Sequence, residues 1–149
     1  MSVIRPPKTK KAVFDTNVYI EAIQGGPEAQ TYQLLLSALP RTYLSAVVVQ
    51  ELLSGAGDTV GERLVDRFVR RTEQTGRMII PTYGDWKEAG RVLARIRRRE
   101  PAERSRIPRL VNDVLLALSA RQIGAMLYTF DSQDFTLIAR YTRFALEIL

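Results

Sequence analysis

Short apolar runs alternate with stretches of helical period along this chain, and that alternation restricts the fold more than any other feature. "AVF" predicts a buried strand, and "TNVYIEAIQ" after it carries a helical pattern that stops at Gly25, Gly26 and Pro27. A second helix is expected over 27–39, with Pro40 as its stop. "TYLS" reads as a short strand whose Ser45 can cap the helix "AVVVQELLSG", ending at Gly55 or Gly57. Val60, Leu64, Val65, Phe68 and Val69 give helical spacing over 58–75, and "RMIIP" predicts the next strand. "YGDWKEAGRVLARIRRRE" predicts a helix with Trp86, Val92, Leu93 and Ile96 near one face, arginines largely on the other, and Pro101 as its end. Residues 102–108 are expected to form a loop, and "RLVNDVLLALSARQIG" a strong helix closed by Gly124. "AMLYTFD" then predicts a strand that ends at an acid, and "FALEIL" a final strand. Strands separated by helices imply βαβ units, a parallel sheet and helices on both faces. In open sheets of that kind ligands bind at the carboxyl ends of the strands, where Asp15 and Asp131 both fall.

The residue types narrow the chemistry. The 149 residues include no cysteine and no histidine, which removes disulfides, thiolate nucleophiles, zinc-thiolate sites and every Ser-His or Cys-His arrangement. An enzyme built from this chain must work mainly through carboxylates, with a hard cation held by oxygen ligands. The length fits one domain, expected over 11–149 and preceded by a flexible basic arm over 1–10 that contains Pro6 and Pro7. No run approaches the roughly 18 apolar residues of a membrane helix, so the expectation is a soluble cytoplasmic protein with no membrane partner.

The net charge of +6 is unevenly spread. Arg5, Lys8, Lys10 and Lys11 stand in the first eleven residues without an acid, and eight arginines fall between 91 and 109 against Glu100 and Glu103. Arg95, Arg97, Arg98, Arg99, Lys10 and Lys11 are therefore candidates for contact with a polyanion, although a run such as "RIRRRE" can equally be a solvated helix face.

Four acids sit instead in apolar surroundings: Asp15 in "VFDTN", Glu51 in "VVQELL", Asp113 in "LVNDVL" and Asp131 in "YTFDSQ". Each has an ordinary alternative. Asp15 can cap the helix after it, Glu51 can pair with an arginine, Asp113 with Asn112 can edge an amphipathic helix, and Asp131 can be a turn residue or the N-cap of a helix after it, with Asp134 competing for its place. Jointly they point to a cluster. Two like charges about 5 Å apart at an effective dielectric of about 20 repel by roughly 3 kcal/mol, so such a cluster must raise its pKa values or bind a divalent cation. Mg²⁺ or Mn²⁺ suits an all-carboxylate set, and beside basic patches the fitting chemistry is phosphodiester hydrolysis.

The stretches "AVFDTNVYI", "LSAVVVQELLSGA" and "NDVLLALSARQIGAMLYTFDSQDF" resemble the PIN-domain family, most closely the VapC-type ribonuclease toxins of toxin-antitoxin pairs. The resemblance spans about residues 11–149 and implies a three-layer α/β/α sandwich around a central, mostly parallel sheet. It implies Asp15, Glu51, Asp113 and Asp131 as catalytic residues and ligands of Mg²⁺ or Mn²⁺, with Asp134 less turned to the metal. Thr16, Asn17, Asn112, Thr129 and Ser132 stand beside them as supporting polar residues. It further implies an RNA substrate, tRNA or rRNA among the options, a homodimer, and a cognate antitoxin whose C-terminal segment occupies the groove near the acids. The alternative is a non-catalytic RNA-binding or scaffold protein on the same fold. An aspartyl phosphotransfer domain fits poorly, because Asn17 stands where a "DxD" motif needs its second acid.

Overall fold

The computed structural model describes residues 10–149, so the expected basic arm falls outside the described residues except for Lys10. Five short strands alternate with seven helices: β1 (Ala12–Phe14), α1 (Thr16–Gly25), α2 (Gln30–Ala38), β2 (Leu44–Ser45), α3 (Ala46–Ser54), α4 (Thr59–Thr75), β3 (Met78–Ile79), α5 (Tyr83–Arg99), α6 (Ile107–Gln122), β4 (Met126–Thr129), α7 (Ser132–Ala139) and β5 (Ala145–Ile148). All pairings are parallel. One sheet has the order β1-β4-β5 and another pairs β2 with β3. A parallel bridge between Ala12 and Thr42, with the Tyr43 N–H donating to the Ala12 carbonyl at 2.8 Å, sets β2 beside β1. The spatial order is thus β3-β2-β1-β4-β5, and its direction reverses between β1 and β4. That reversal opens a crevice at the carboxyl ends of the two central strands.

Burial explains why helices cover both faces. Neighbouring residues of a strand point to opposite sides, yet Ala12, Val13 and Phe14 are all buried, as are Leu127, Tyr128 and Thr129. The Phe14 and Tyr128 rings stack across β1 and β4 with centroids 5.0 Å apart. Helix α6 supplies much of one covering layer through Leu110, Val114, Leu115 and Leu118, which agrees with its sequence spacing. The expected three-layer parallel α/β architecture is the one observed.

Several boundaries follow local chemistry. Ser45 caps α3 by accepting from the Val47 N–H at 3.2 Å, as its position suggests. Thr82 and Asp85 form a reciprocal capping box at the start of α5, which accounts for the buried Asp85. Gly124 closes the turn after α6 at φ 69°, a conformation costly for residues with a Cβ.

Three expectations need correction. The region expected to be a loop over 102–108 is instead a 3-10 segment, Pro101–Arg106, followed at once by α6 from Ile107; Pro108 sits in the first turn, where its missing N–H costs nothing. Helix α2 begins at Gln30, after the Pro27 turn, and ends at Ala38. Helix α7 fills the span between the last two strands, and Asp131 is its N-cap, as one of the readings of that acid has it. Trp86 does not share the buried face of α5: it is 56% exposed. At about 100° per residue it stands roughly 90° round from the stripe of Ala89, Val92 and Ile96.

Candidate active site

The acids gather at the crevice because of where their elements end. Asp15 follows β1 and caps α1, accepting from the Thr16 N–H with Oδ1 at 2.8 Å. Its Oδ2 accepts from the Thr129 hydroxyl at 2.8 Å, which ties the end of β1 to the end of β4. Thr129 is the hub of the crevice. Its oxygen also accepts from the Asp131 N–H at 3.0 Å and from Asn17 Nδ2 at 3.3 Å, and Asn17 Oδ1 accepts from the Phe130 N–H. Thr16 extends the network to α3, donating its hydroxyl to Glu51 Oε1 at 3.0 Å. Asn112 Nδ2 donates to Gln50 Oε1 and so joins the rims of α6 and α3.

Asp113, Asp131 and Asp134 each offer one oxygen within 4.8 Å of the others. Oxygens on one Mg²⁺ or Mn²⁺ lie up to about 4.4 Å apart, so a small closure of this trio suits a hard cation. Asp134, which the resemblance leaves less turned to the metal, is one of these three, and Asp15 and Glu51 also act on Asp113. Asp131 both caps α7, accepting from the Asp134 N–H at 3.0 Å, and faces the cluster; each carboxylate oxygen has lone pairs for more than one partner. The ordinary capping roles of Asp15 and Asp131 and a role at a cation are thus compatible. Ser132, in the first turn of α7, is exposed.

Electrostatics shows how closely the acids interact. Burial pushes the Asp15 carboxyl up to about 6, with Glu51 and Asp131 adding repulsion against the lowering bonds from Thr129 and Thr16. Asp113 is pushed up to about 8, by burial first and then by Asp15, Asp134, Asp131 and Glu51. Asp131 is also raised, chiefly by burial. Five acids from four separate stretches of chain therefore act on one another, and Asp113 holds its proton near neutral pH when no cation is present.

The candidate polyanion contacts lie elsewhere. Arg95 donates to the Tyr141 carbonyl at 3.2 Å and stands 3.5 Å from Glu88, while Glu100 pairs with Arg140 at 2.9 Å. Tyr141 and Arg140 follow the C-terminus of α7, whereas the acids stand at its N-terminus. Arg97, Arg98 and Arg99 are exposed next to that tether. Lys10 and Lys11 precede β1 at the amino edge of the sheet; both are exposed, and Lys11 Nζ lies 5.3 Å from the Tyr43 ring centroid. One basic residue that the sequence did not single out does reach the acids: Arg106 pairs with Asp134 and Glu103. The 3-10 segment that carries it has no apolar periodicity to announce it.

Comparisons with known proteins agree with this architecture. A search of curated protein sequences gives no significant match. Among solved structures, VapBC2 from Rickettsia felis bound to a DNA fragment from their promoter is similar at a TM-score of 0.65 and 20% identity, covering 93% of this chain and 98% of that one. DNA-bound VapBC from Salmonella typhimurium gives 0.65 and 19%, over 94% and 98% of the two chains. FitAcB from Neisseria gonorrhoeae gives 0.62 and 21%, over 91% and 95%. These likenesses establish the fold, and the PIN domain family model matches residues 12–141. With its parallel sheet and its acids at the carboxyl edge, this chain belongs to the PIN domain family.

Proposed function

We propose that this protein is a metal-dependent endoribonuclease that hydrolyses RNA phosphodiester bonds through the domain over 11–149, acting in the cytoplasm as the toxin of a toxin-antitoxin pair. The observation that carries the reading is the convergence of Asp15, Glu51, Asp113 and Asp131 at the β1/β4 crevice, together with the Asp113 carboxyl pushed up to about 8 by burial and by its acidic neighbours. A surface cluster gains nothing from such repulsion; a cation site needs it.

Asp15, Asp113 and Asp131, with Glu51 beside them through Thr16, are the residues to hold Mg²⁺ or Mn²⁺. When bound, such a cation lowers the pKa of a coordinated water and stabilises charge on a phosphoryl oxygen. The chain's own residues do the rest. Thr129 and Asn17 hold Asp15 in one orientation, and Glu51, anchored by the Thr16 hydroxyl, orients the attacking water. Asp113 releases its proton as the cation binds. A water oxygen attacks phosphorus and gives up its proton to solvent, the bond from phosphorus to the leaving oxygen breaks, and that oxygen takes a proton from solvent, so the two protons balance. Arg97, Arg98 and Arg99 contact the RNA backbone away from the scissile bond, which positions the substrate without reading its sequence.

The partner reading has its own support. Helices α1, α2 and α4 enclose a groove of about 650 Å³ lined by exposed Ile20, Ile23, Leu36 and Leu64, and it extends to Glu51. The buried Tyr19 hydroxyl on its wall has no hydrogen-bond partner among the described residues. An antitoxin segment with apolar side chains fills this groove and ends at the acids. The similar structures of VapBC2 and VapBC, each bound to DNA, favour an assembly with a partner here, and the homodimer as the toxin unit is what the PIN-domain resemblance implies.

Cleavage of total RNA and tRNA by purified protein with Mg²⁺, Mn²⁺ or EDTA, beside Asp15→Asn, tests the proposal. Discrete fragments that need the cation and vanish in the variant are expected. No cleavage by folded, partner-free protein would leave the RNA-binding or scaffold alternative.

A further inference from the structure

The 3-10 segment Pro101–Arg106 delivers a guanidinium to the acid cluster. Arg106 donates through one terminal nitrogen to Glu103 of its own segment and through the other to Asp134 of α7. Its side chain is 14% exposed, against 62% for Arg140 in the surface pair with Glu100. A guanidinium fork held across two acids is a fixed charge, since its geometry is set at both ends and it does not deprotonate. Asp134 is meanwhile one of the three acids whose oxygens lie within 4.8 Å of one another. One carboxylate is thus shared between the arginine and the cluster.

We propose that Arg106 is a resident counter-cation: it neutralises Asp134 in the metal-free protein, leaves Asp113 and Asp131 as the acids facing a divalent cation, and opposes that cation's binding. The inference rests on the metal-dependent reading of the site. Crowded carboxylates repel one another, and a guanidinium among them offsets part of that repulsion while the site holds no ion. A divalent ion entering the same cluster meets a fixed positive charge that cannot deprotonate. By linkage, a group that stabilises the metal-free form more than the metal-bound form must lower the affinity for metal. Arg106 therefore trades metal affinity for stability of the empty site. An arginine that only oriented Asp134 as an outer partner of the metal would act with the opposite sign, since losing such partners typically weakens binding by about 10- to 100-fold.

Mn²⁺ binding measured by calorimetry on wild type, Arg106→Gln and Arg106→Lys, with thermal unfolding in EDTA alongside, decides between these signs. Arg106→Gln should bind Mn²⁺ about tenfold more tightly, as expected from removing one nearby like charge, and should unfold at a lower temperature in EDTA. Arg106→Lys keeps the charge but not the fork, so it should fall between the other two in both measurements. Unchanged or weaker Mn²⁺ binding by Arg106→Gln, with wild type binding normally, overturns the counter-cation role and leaves the metal-dependent reading standing. Absence of binding in all three proteins removes both. If Arg106→Gln does not fold, Arg106→Lys decides, and an affinity no higher than wild type overturns the proposal.

Discussion

The two ends of α7 differ in what they do with charge. The helix has eight residues, so the ends stand about 12 Å apart. At the N-terminus Asp131 and Asp134 meet Asp113, with Asp15 and Glu51 near, and burial holds two of these carboxyls well above the usual range. At the C-terminus Arg140 pairs with Glu100 and Arg95 reaches the Tyr141 carbonyl, while the arginines that follow along α5 stay in solvent. Opposite charges in water cost little and contribute little. Like charges out of water cost a great deal, and a fold keeps them together only where something else is to bind. Charge density alone is therefore no guide to a site; sign and burial are.

The sharpest way to break this contrast is to neutralise an acid at the first end. Asp113→Asn should lower metal-dependent cleavage by about 100-fold or more, beyond the loss of an outer-shell partner. In EDTA at pH 9 the same variant should be more stable than wild type, because it removes a charge that its neighbours repel. Chemical denaturation of both proteins checks this, and a less stable variant would mean that the acids do not crowd as described.

Titration gives the next effect in size. The folded values of about 6 for Asp15 and about 8 for Asp113 lie above the usual carboxylate value of 3.8. The folded state therefore holds protons that the unfolded state has lost, and this stabilisation is complete below about pH 4 and fades as the pH rises towards 8. Urea midpoints of the metal-free protein should fall over that window. Mn²⁺ binding at pH 7 should release protons, detectable in buffers of different ionisation enthalpy.

Thr129→Val should be milder. It removes the hydroxyl that bonds Asp15, Asn17 and the Asp131 N–H, and a loss of about 10- to 100-fold in metal affinity is expected by analogy with outer-shell partners. Thr129→Ser should restore most of it, measurable by calorimetry. The smallest effects belong to the second end of the contrast. Arg97→Ala with Arg98→Ala should leave stability within about 0.5 kcal/mol and lower the salt dependence of RNA binding by about 0.7 in log-log slope for each phosphate no longer neutralised. An unchanged slope would return these arginines to a solvated helix face.

Much of the site is legible in the chain because acids within apolar runs stand out against their neighbours. Asp15 after "AVF" and Asp131 after "LYTF" mark strand ends, and Glu51 and Asp113 interrupt apolar helical stripes. The closeness of Asp134 to the cluster is not legible. It depends on α7 beginning immediately after Asp131, which turns both carboxylates to one side. Nor is the part played by Arg106, since a 3-10 segment has too few residues to show a period and its partner Asp134 is 28 residues away. Trp86 misleads for a related reason: apolar side chains read as buried, and only packing shows which flank of a helix is covered.

By itself the sequence determines the order of the elements and the ends that carry acids, through local periodicity and turn residues. It also confines the chemistry to carboxylates, because histidine and cysteine are absent. Tertiary structure alone decides which acids meet, which of them keep a proton, and which arginine answers them. Those outcomes depend on distance and burial between residues far apart in the chain, such as Asp15 and Thr129, 114 positions apart and hydrogen-bonded at 2.8 Å. Electrostatic energy falls with separation and grows with exclusion of water, and neither quantity exists until the chain has folded.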